Sequence, residues 1–262
     1  RQIVNMLIDE CDEAGVDVIV NCEVKSMKNE GNFHLATSEG EFESEALVIA
    51  SGGISIPQMG ATDFGYKAAK QFGIKVTKTS PGLVPFTLKE KSFSDLSGIS
   101  IDSIVSCNSI NFRENILFTH KGLSGPAILQ ISSYWNEGDE ISVNLLPDKN
   151  IVELISGNSE SRIELVNFLS KLFSKRFAEK WCDEYFKTKP LNQLKEKEIS
   201  EISEKLHNWK IVPNGTEGFG KAEVTKGGID TGELSSKTME SRRIKGLYFI
   251  GEVVDVTGWL GG

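Results

Sequence analysis

The chain contains few of the residues from which metal centres and redox pairs are built. Its 262 residues include four cysteines and three histidines, and no two cysteines form a C-x-x-C pair. Zinc motifs and thioredoxin-like motifs are therefore poorly supported, and we expect no metal site. Four separate cysteines are typical of reduced thiols in a cytosolic protein.

Long apolar segments and an excess of positive charge are also missing. No apolar run approaches the roughly 20 residues that span a bilayer, and no signal peptide is visible. Acidic residues number 37 against 29 Lys and Arg, which gives a net charge of −8. We therefore expect a soluble, cytoplasmic protein with no membrane contact and, apart from any local basic patch, no general affinity for phosphate backbones.

The first 80 residues alternate between helix and strand signals. Residues 46–50 are nearly all apolar, as expected of a central strand that is covered on both faces. The predicted elements are a helix over 1–14 that ends at Gly15, a strand over 16–21, three short strands with turns at 29–31 and 39–40, of which 46–50 is the last, and a helix over 64–72.

From Pro81 the pattern changes, which predicts an insertion within an α/β domain. Residues 81–149 are rich in strand signals, with a helix that begins at Pro126. Residues 150–213 are helical and charged, and strand patterns return in 214–262. We therefore expect residues 1–80 and 214–262 to form parts of one α/β domain, interrupted by a β-rich subdomain (81–149) and a helical subdomain (150–213).

Two apolar strands run directly into glycines. Residues 46–60, ALVIASGGISIPQMG, contain paired glycines after a strand, and residues 246–262, GLYFIGEVVDVTGWLGG, contain Gly251-Glu252 and further glycines. Glycines at the carboxyl ends of parallel strands let the backbone approach a ligand closely. Each motif alone is equally consistent with a tight structural turn.

In this order and spacing the two motifs resemble the two-dinucleotide-binding flavoproteins. More narrowly, the chain resembles the bacterial BaiN/RdsA-like NAD(P)/FAD-dependent oxidoreductases, also described as aminoacetone oxidase-like, with their HI0933-like insert domain. The resemblance covers essentially the whole chain and is carried by LVIASGGISIPQMGATDFGYKAAKQFGI, PGLVPF, LFTHKGLSGPAILQIS, AEVTKGGI, TMES and GLYFIGEVVDVTGWLGG.

The resemblance implies a Rossmann-like FAD-binding domain interrupted by a barrel-like and helical insertion. The G-x-G-x-x-G unit that precedes this region in the family is absent from the 262 residues. Because the chain also begins inside an apparent helix and ends inside a glycine motif, we expect a fragment. That fragment would bind FAD poorly and be inactive, since the missing helix N-terminus normally holds the pyrophosphate.

The resemblance also implies which residues contact the cofactor. Those expected along FAD, from the adenine end to the flavin ring, are Val24, Ser51, Gly52, Gly53, Gly251, Glu252, Asp255, Thr257, Gly258, Gly261 and Gly262. Asp255 is equally well interpreted as a solvated loop residue.

The proton donor is harder to identify, because the flavin supplies the hydride chemistry. His120 lies within FTHKGLSG and is the candidate catalytic residue, although a hydrogen bond to the following turn explains it more simply. Thr225 and Lys226 are weaker candidates. Cys107 is better interpreted as a barrel residue than as a redox partner.

Residues 171–197 combine basic and aromatic side chains. Eight Lys and Arg against four Asp and Glu suggest a nucleic-acid surface. The spacing of Phe173, Phe177, Trp181 and Tyr185 instead favours a buried helix stripe with a solvated basic face.

We therefore expect a flavoprotein oxidoreductase in which NAD(P)H reduces FAD and the flavin reduces a conjugated C=C bond of an unidentified small-molecule substrate, a steroid-like enone being one class. The alternatives are reduction of a uracil in ribosomal RNA, amine oxidation, and a binding module without a cofactor.

Overall fold

The protein has the mixed α/β composition that the sequence predicts. The computed structural model describes residues 2–89 and 91–261. The helices are α1 (Gln2–Glu13), α2 (Phe64–Gln71), α3 (Pro126–Ser132), α4 (Ile151–Ser156), α5 (Leu165–Leu169), α6 (Lys175–Tyr185) and α7 (Glu196–His207). The strands are β1 (Val24–Asn29), β2 (Phe33–Thr37), β3 (Glu41–Ser44), β4 (Leu47–Ile49), β5 (Ser80–Gly82), β6 (Phe86–Thr87), β7 (Ser100–Cys107), β8 (Ile110–Phe118), β9 (Gly122–Ser124), β10 (Ile141–Asn144), β11 (Trp209–Ile211), β12 (Gly215–Thr216), β13 (Val224–Lys226) and β14 (Leu247–Phe249).

The insertion is built on a seven-stranded antiparallel sheet in the order β11-β10-β7-β8-β9-β6-β12. Its longest pair, β7 and β8, is a hairpin in which Cys107 pairs with Ile110. The two loop residues, Asn108 and Ser109, have φ angles of 49° and 65°. A two-residue loop with both φ angles positive matches the right-handed twist of the strands. Because β11 and β12 belong to this sheet, it extends across the expected subdomain limits at 149 and 213, and the division into subdomains stays a prediction.

Helices α3 to α7 bury the main core against this sheet. The predicted aromatic stripe on α6 is confirmed, since Phe177 and Trp181 are fully buried and their rings stack at 4.8 Å. On the opposite side, cations of α6 and α7 pair with acids one turn away, as Lys180 does with Glu184 at 3.8 Å. The stretch 171–197 is therefore a core stripe with a charged face on which, in the described part of the chain, four of the eight Lys and Arg form ion pairs, namely Lys175, Lys180, Lys189 and Lys197. Cys107 is likewise a buried residue of β7, as expected.

The outer part of the chain holds a second, smaller core. Strands β4 and β14 pair in parallel, α2 packs beside them, and Ile49, Leu247 and Phe249 are buried between these elements. The three-stranded sheet β1-β2-β3 contributes Phe33 and Met27 to the same core.

Three local predictions are wrong. The stretch that ends at residue 50 was expected to hold three short strands and forms four, β1 to β4, because β3 and β4 are separate. Residues 16–21 form no strand, and Val18 and Val20 are exposed, because a strand needs a partner for its backbone groups and none of the described residues pairs with this segment. Strand β4 is also not a central strand covered on both faces. Among the described residues its strand partner is β14, and Val48 on one face is 52% exposed. Within the described ranges, every helix is too short or too polar to cross a membrane.

Candidate functional site

The candidate site lies where β4 and β14 end. The two strands run in parallel with Ile49 opposite Phe249, and the Ile250 N–H donates to the Ile49 carbonyl at 3.1 Å. Their carboxyl ends therefore meet at one edge, where α/β sheets bind ligands. The sequence-predicted groups Ser51–Gly53 and Gly251-Glu252 follow these two ends directly, so the structure brings them together.

The three glycines of this edge are required for two different reasons. Gly52 and Gly251 have φ angles of 72° and 75°, and a Cβ at either position would meet nothing within 4 Å. Glycine is favoured there by the left-handed backbone, and the space beside the backbone is open. At Gly53 a Cβ would lie 2.4 Å from Thr225 Oγ1 and 2.9 Å from Glu252 Oε1, so packing within the protein requires this glycine.

Thr225 connects the two strand ends. Its hydroxyl accepts hydrogen bonds from the backbone N–H groups of Ile54 at 2.9 Å and Ser55 at 3.1 Å. Its own backbone N–H donates to Glu252 Oε1 at 2.6 Å. The side chain is buried. Thr225 therefore acts as a clamp that holds the 54–55 backbone and Glu252 together. This role was missed from the sequence alone, since we considered Thr225 only as a weak proton-donor candidate.

Asp255 is held by a neighbouring segment. The Thr77 hydroxyl donates to Asp255 Oδ2 at 2.9 Å, and the Gly228 N–H donates to Thr77 Oγ1 at 3.0 Å. A Cβ on Gly228 would lie 2.6 Å from the Val253 carbonyl oxygen. The carboxylate is therefore positioned by Thr77, a partner 178 positions away in the sequence.

Tyr66 is a further member of the site that the sequence did not reveal. It lies in the first turn of α2, and its buried hydroxyl has no hydrogen-bond partner among the described residues. Burial, followed by the charges of Glu252 and Asp255, raises the pKa of Tyr66 to about 12. The neighbouring Gly65 allows this close packing, since a Cβ there would lie 2.4 Å from Ser51 Oγ.

The C-terminal segment reaches across to the insertion. Thr257 and Gly258 are exposed, and a Cβ on Gly258 would lie 3.7 Å from Val224 Cγ1. The two residues line a cavity of about 160 Å³, whose other lining residues are Leu83, Phe112, Gln130, Ser133, Tyr134 and Trp259. Gly261 is exposed beyond this cavity, and Gly262 lies outside the described residues.

Two expected site residues lie elsewhere. His120 is exposed in the turn between β8 and β9, beside a separate cavity of about 260 Å³. That turn is held by Thr119, whose hydroxyl accepts from the Gly122 N–H at 3.1 Å. Val24 begins β1, next to an irregularity in the pairing with β2. In the described part of the chain, neither residue shares a hydrogen bond or a cavity with the strand-end groups.

Lys226 faces away from the clamp, because side chains alternate along β13. It lines a cavity of about 480 Å³ that also includes Lys78. Its stem lies over Gly82, where a Cβ would be 2.8 Å from Lys226 Cγ. Burial lowers the pKa of Lys226, and no ion pair to it is found within residues 2–89 and 91–261. The same ranges contain no cluster of His, Cys, Asp or Glu that could hold a metal ion.

Comparison with known proteins identifies the insertion. Residues 80–224, more than half of the chain, match the model of the HI0933-like protein barrel and H2TH domain. The chain belongs to the HI0933-like family. Membership confirms the HI0933-like insert and the broader part of the expected resemblance.

Three curated relatives align with essentially the whole chain. A ribosomal RNA dihydrouridine synthase of Escherichia coli K12 is 47% identical over 270 residues, which cover 100% of this chain and 68% of the relative. The protein of the same name from Haemophilus influenzae is 42% identical, also over 100% of this chain and 68% of the relative. A 3-dehydro-bile acid delta(4,6)-reductase of Clostridium scindens is 24% identical, over 99% and 68%.

These relatives confirm one expectation and overturn another. The names of all three denote redox enzymes, which agrees with an oxidoreductase. The main functional expectation, a conjugated C=C bond in an unidentified small-molecule substrate, is wrong, because the two relatives above 40% identity are both named for ribosomal RNA. They favour the alternative, which is reduction of a uracil in ribosomal RNA.

Proposed function

We propose that the full-length protein reduces a uracil of ribosomal RNA to dihydrouridine, with FAD as its cofactor and NAD(P)H as the reductant. The observation that carries this proposal is the pair of relatives named ribosomal RNA dihydrouridine synthase, at 47% and 42% identity over the whole chain. Dihydrouridine differs from uridine by two hydrogens across a double bond that is conjugated to a carbonyl group, so the reaction requires a hydride and a proton.

The geometry at the ends of β4 and β14 supports FAD binding. A long polar ligand needs exposed backbone, hydrogen-bonding side chains and free space at a strand edge. Gly52 and Gly251, which have left-handed φ angles and open space beside them, supply the exposed backbone and the free space. The unpartnered hydroxyl of Tyr66 is a buried polar group that a ligand would satisfy. The residues present therefore fit the cofactor.

Each of these residues has a task in this proposal. Gly52 and Gly251 would let the ribityl and phosphate groups of FAD approach the backbone. The Ser51 hydroxyl would donate a hydrogen bond to a phosphate oxygen, and the Glu252 carboxylate would accept one from a ribityl hydroxyl. Thr225 holds Glu252 and the 51–55 loop in register. When bound, FAD supplies the hydride chemistry. Thr257 and Gly258 border the cavity that faces the insertion, which supports a substrate side of the proposed site at this cavity.

The outer part of the chain would then be the Rossmann-like FAD-binding domain, and the insertion would present the substrate. For His120, the predicted proton donor, the geometry gives no such support, because it lies on an exposed turn beside a cavity separate from that of Thr257 and Gly258. Its replacement by alanine would lower the rate of dihydrouridine formation about 10²-fold or more if it transfers the proton. The flavin content would stay unchanged.

The full-length protein, purified natively, should show the visible spectrum of bound flavin, and anaerobic NADH or NADPH should bleach it. Ribosomal RNA from cells that lack the gene should then gain dihydrouridine on incubation with the protein and NAD(P)H, measured by mass spectrometry of nucleosides. A protein that stays colourless after addition of FAD would refute the cofactor. A flavoprotein that leaves the RNA unchanged would refute the substrate.

A further inference from the structure

The cavity of about 160 Å³ beside Thr257 and Gly258 is lined by three aromatic residues from separate parts of the chain. Phe112 lies on β8, Tyr134 follows α3, and Trp259 lies in the C-terminal segment. The Phe112 ring centroid is 5.7 Å from that of Tyr134 and 5.9 Å from that of Trp259. The insertion and the C-terminal segment therefore meet through a cluster of rings.

Much of this cluster is open to solvent. Trp259 is 61% exposed and Tyr134 is 40% exposed. Apolar groups that lie next to one another on a surface are common at ligand-binding grooves and interaction sites. Proteins that bind unpaired nucleotides use such rings as stacking platforms, because every base has a π-face.

One polar side chain in the cavity has an unused amide. Gln130 projects from α3 and, in the described part of the chain, makes no side-chain hydrogen bond. A glutamine amide carries both a donor NH₂ and an acceptor oxygen. The edge of uracil carries carbonyl acceptors next to an N–H donor, so one glutamine can pair with both kinds of group.

We propose that this cavity is the base pocket of the enzyme, in which an extruded uracil of the RNA stacks on the rings of Trp259 and Tyr134 while Gln130 binds its edge. The proposal rests on the proposed function and names the part of the chain that recognises the substrate. The volume agrees with a single ring, because pockets for drug-sized ligands are about 300–1,000 Å³ and this cavity is about 160 Å³. An enzyme that acts on one base must first remove that base from its stack.

Trp259 provides the sharpest test, because a residue so exposed can be changed with little risk to the fold. Trp259→Leu keeps an apolar side chain without a π-face, whereas Trp259→Phe keeps the ring. With ribosomal RNA as the substrate, we expect Trp259→Leu to lower kcat/KM for dihydrouridine formation by about tenfold or more, in line with the loss of one stacking contact. Trp259→Phe should recover most of the activity.

Gln130→Leu removes the amide and keeps a side chain of similar size. It should lower kcat/KM at least as strongly as Trp259→Leu, because the polar edge of the uracil would then lose its hydrogen-bond partner in the pocket. Phe42→Ala is the control for the loss of an exposed aromatic ring elsewhere, because Phe42 is 41% exposed and lies on β3 of a different sheet. Thermal melting and the ratio of bound flavin to protein show whether each variant folds and keeps its cofactor.

The outcomes separate the two proposals. If the wild-type protein forms no dihydrouridine, the proposed function fails, and the base pocket fails with it. If the wild type is active while Trp259→Leu and Gln130→Leu keep its kcat/KM, the proposed function stands and the base pocket is refuted. If Trp259→Phe is as impaired as Trp259→Leu, stacking is refuted. Loss in both leucine variants, with recovery in Trp259→Phe and no change in Phe42→Ala, supports the pocket.

Discussion

The insertion and the outer part of the chain differ in how completely they bury their apolar residues. The insertion encloses a large core in which Trp181, Phe118 and Phe177 are fully buried. In the outer part, by contrast, α1 has no buried residue, and Leu7 and Val20 are 56% and 71% exposed. The groups that form the proposed cofactor site belong to this outer part.

This difference holds within the 262 residues, which cover 68% of the length of the relatives named above. Most of the favourable free energy of folding comes from buried apolar surface, which is concentrated in the insertion. The strand ends at Gly52 and Gly251 instead expose backbone and keep an unpartnered hydroxyl, at Tyr66. Open backbone at a strand edge gives a ligand access, whereas an unpartnered polar atom alone does not distinguish the two parts, because Trp181 Nε1 in the insertion core is unpartnered among the described residues too.

The largest expected effect comes from the insertion core. Trp181→Ala removes a fully buried ring that lies 4.8 Å from both Phe177 and Trp209, and we expect it to lower the free energy of unfolding by about 3–5 kcal/mol. Leu7→Ala, in exposed α1, should change it by about 0.5 kcal/mol or less. Urea denaturation gives the free energy of unfolding of each variant. Equal losses in Trp181→Ala and Leu7→Ala would contradict the expectation.

Removing the hydroxyl of Thr225 should lower the free energy of unfolding by less than Trp181→Ala does. Thr225→Val keeps the shape of the side chain and removes the acceptor of the Ile54 and Ser55 N–H groups. Leaving these donors unpaired should cost about 1–3 kcal/mol of unfolding free energy. Bound flavin should fall in parallel, because the 51–55 loop loses its register. Thr225→Ser retains the hydroxyl and should keep the flavin, and a flavin-free serine variant would show that the hydroxyl is not the cause.

The sequence predicts much of this fold because many of its signals are local. Helix α1 ends before Gly15, whose φ of 71° suits a glycine stop. Gly52, Gly251 and Glu252 could also be grouped in advance, since parallel strands bring their carboxyl ends to one edge.

What could not be predicted depends on distant partners. The Thr225 clamp joins residues 171 positions apart, and no local pattern indicates such a pairing. The strand expected at 16–21 failed for the same reason, because a strand forms only where another strand accepts its hydrogen bonds. Tyr66 was missed because an unpartnered hydroxyl is a property of packing and not of sequence.

Tyr66 allows stability and binding to be separated. In Tyr66→Phe a buried hydroxyl without a partner is removed, so the protein without flavin should be as stable as the wild type or more stable, by about 1 kcal/mol. If the hydroxyl serves the cofactor, the same change should weaken FAD binding about fivefold, the equivalent of one hydrogen bond. Thermal melting of the flavin-free protein and a flavin titration measure the two effects. A loss of stability with unchanged binding would contradict both expectations.

The smallest expected effect concerns Lys226. Its pKa is lowered by burial, so the unfolded chain holds this proton more tightly than the folded protein does. The folded state therefore carries a penalty at neutral pH, which disappears as the pH rises through the lowered pKa toward the ordinary value of 10.5. Lys226→Met should be slightly more stable than the wild type at neutral pH, and the difference should shrink with increasing pH.

Lys78→Met is the matched control for Lys226, because Lys78 lines the same cavity of about 480 Å³ but is exposed. It shows how a methionine at this cavity changes the melting temperature without removing the charge of Lys226. Melting temperatures of both variants between neutral pH and pH values near 10.5 provide the comparison. A constant difference between Lys226→Met and the wild type over that range would mean that the methionine acts through packing. A difference that closes with pH would instead show that the half-buried charge is maintained at the expense of stability.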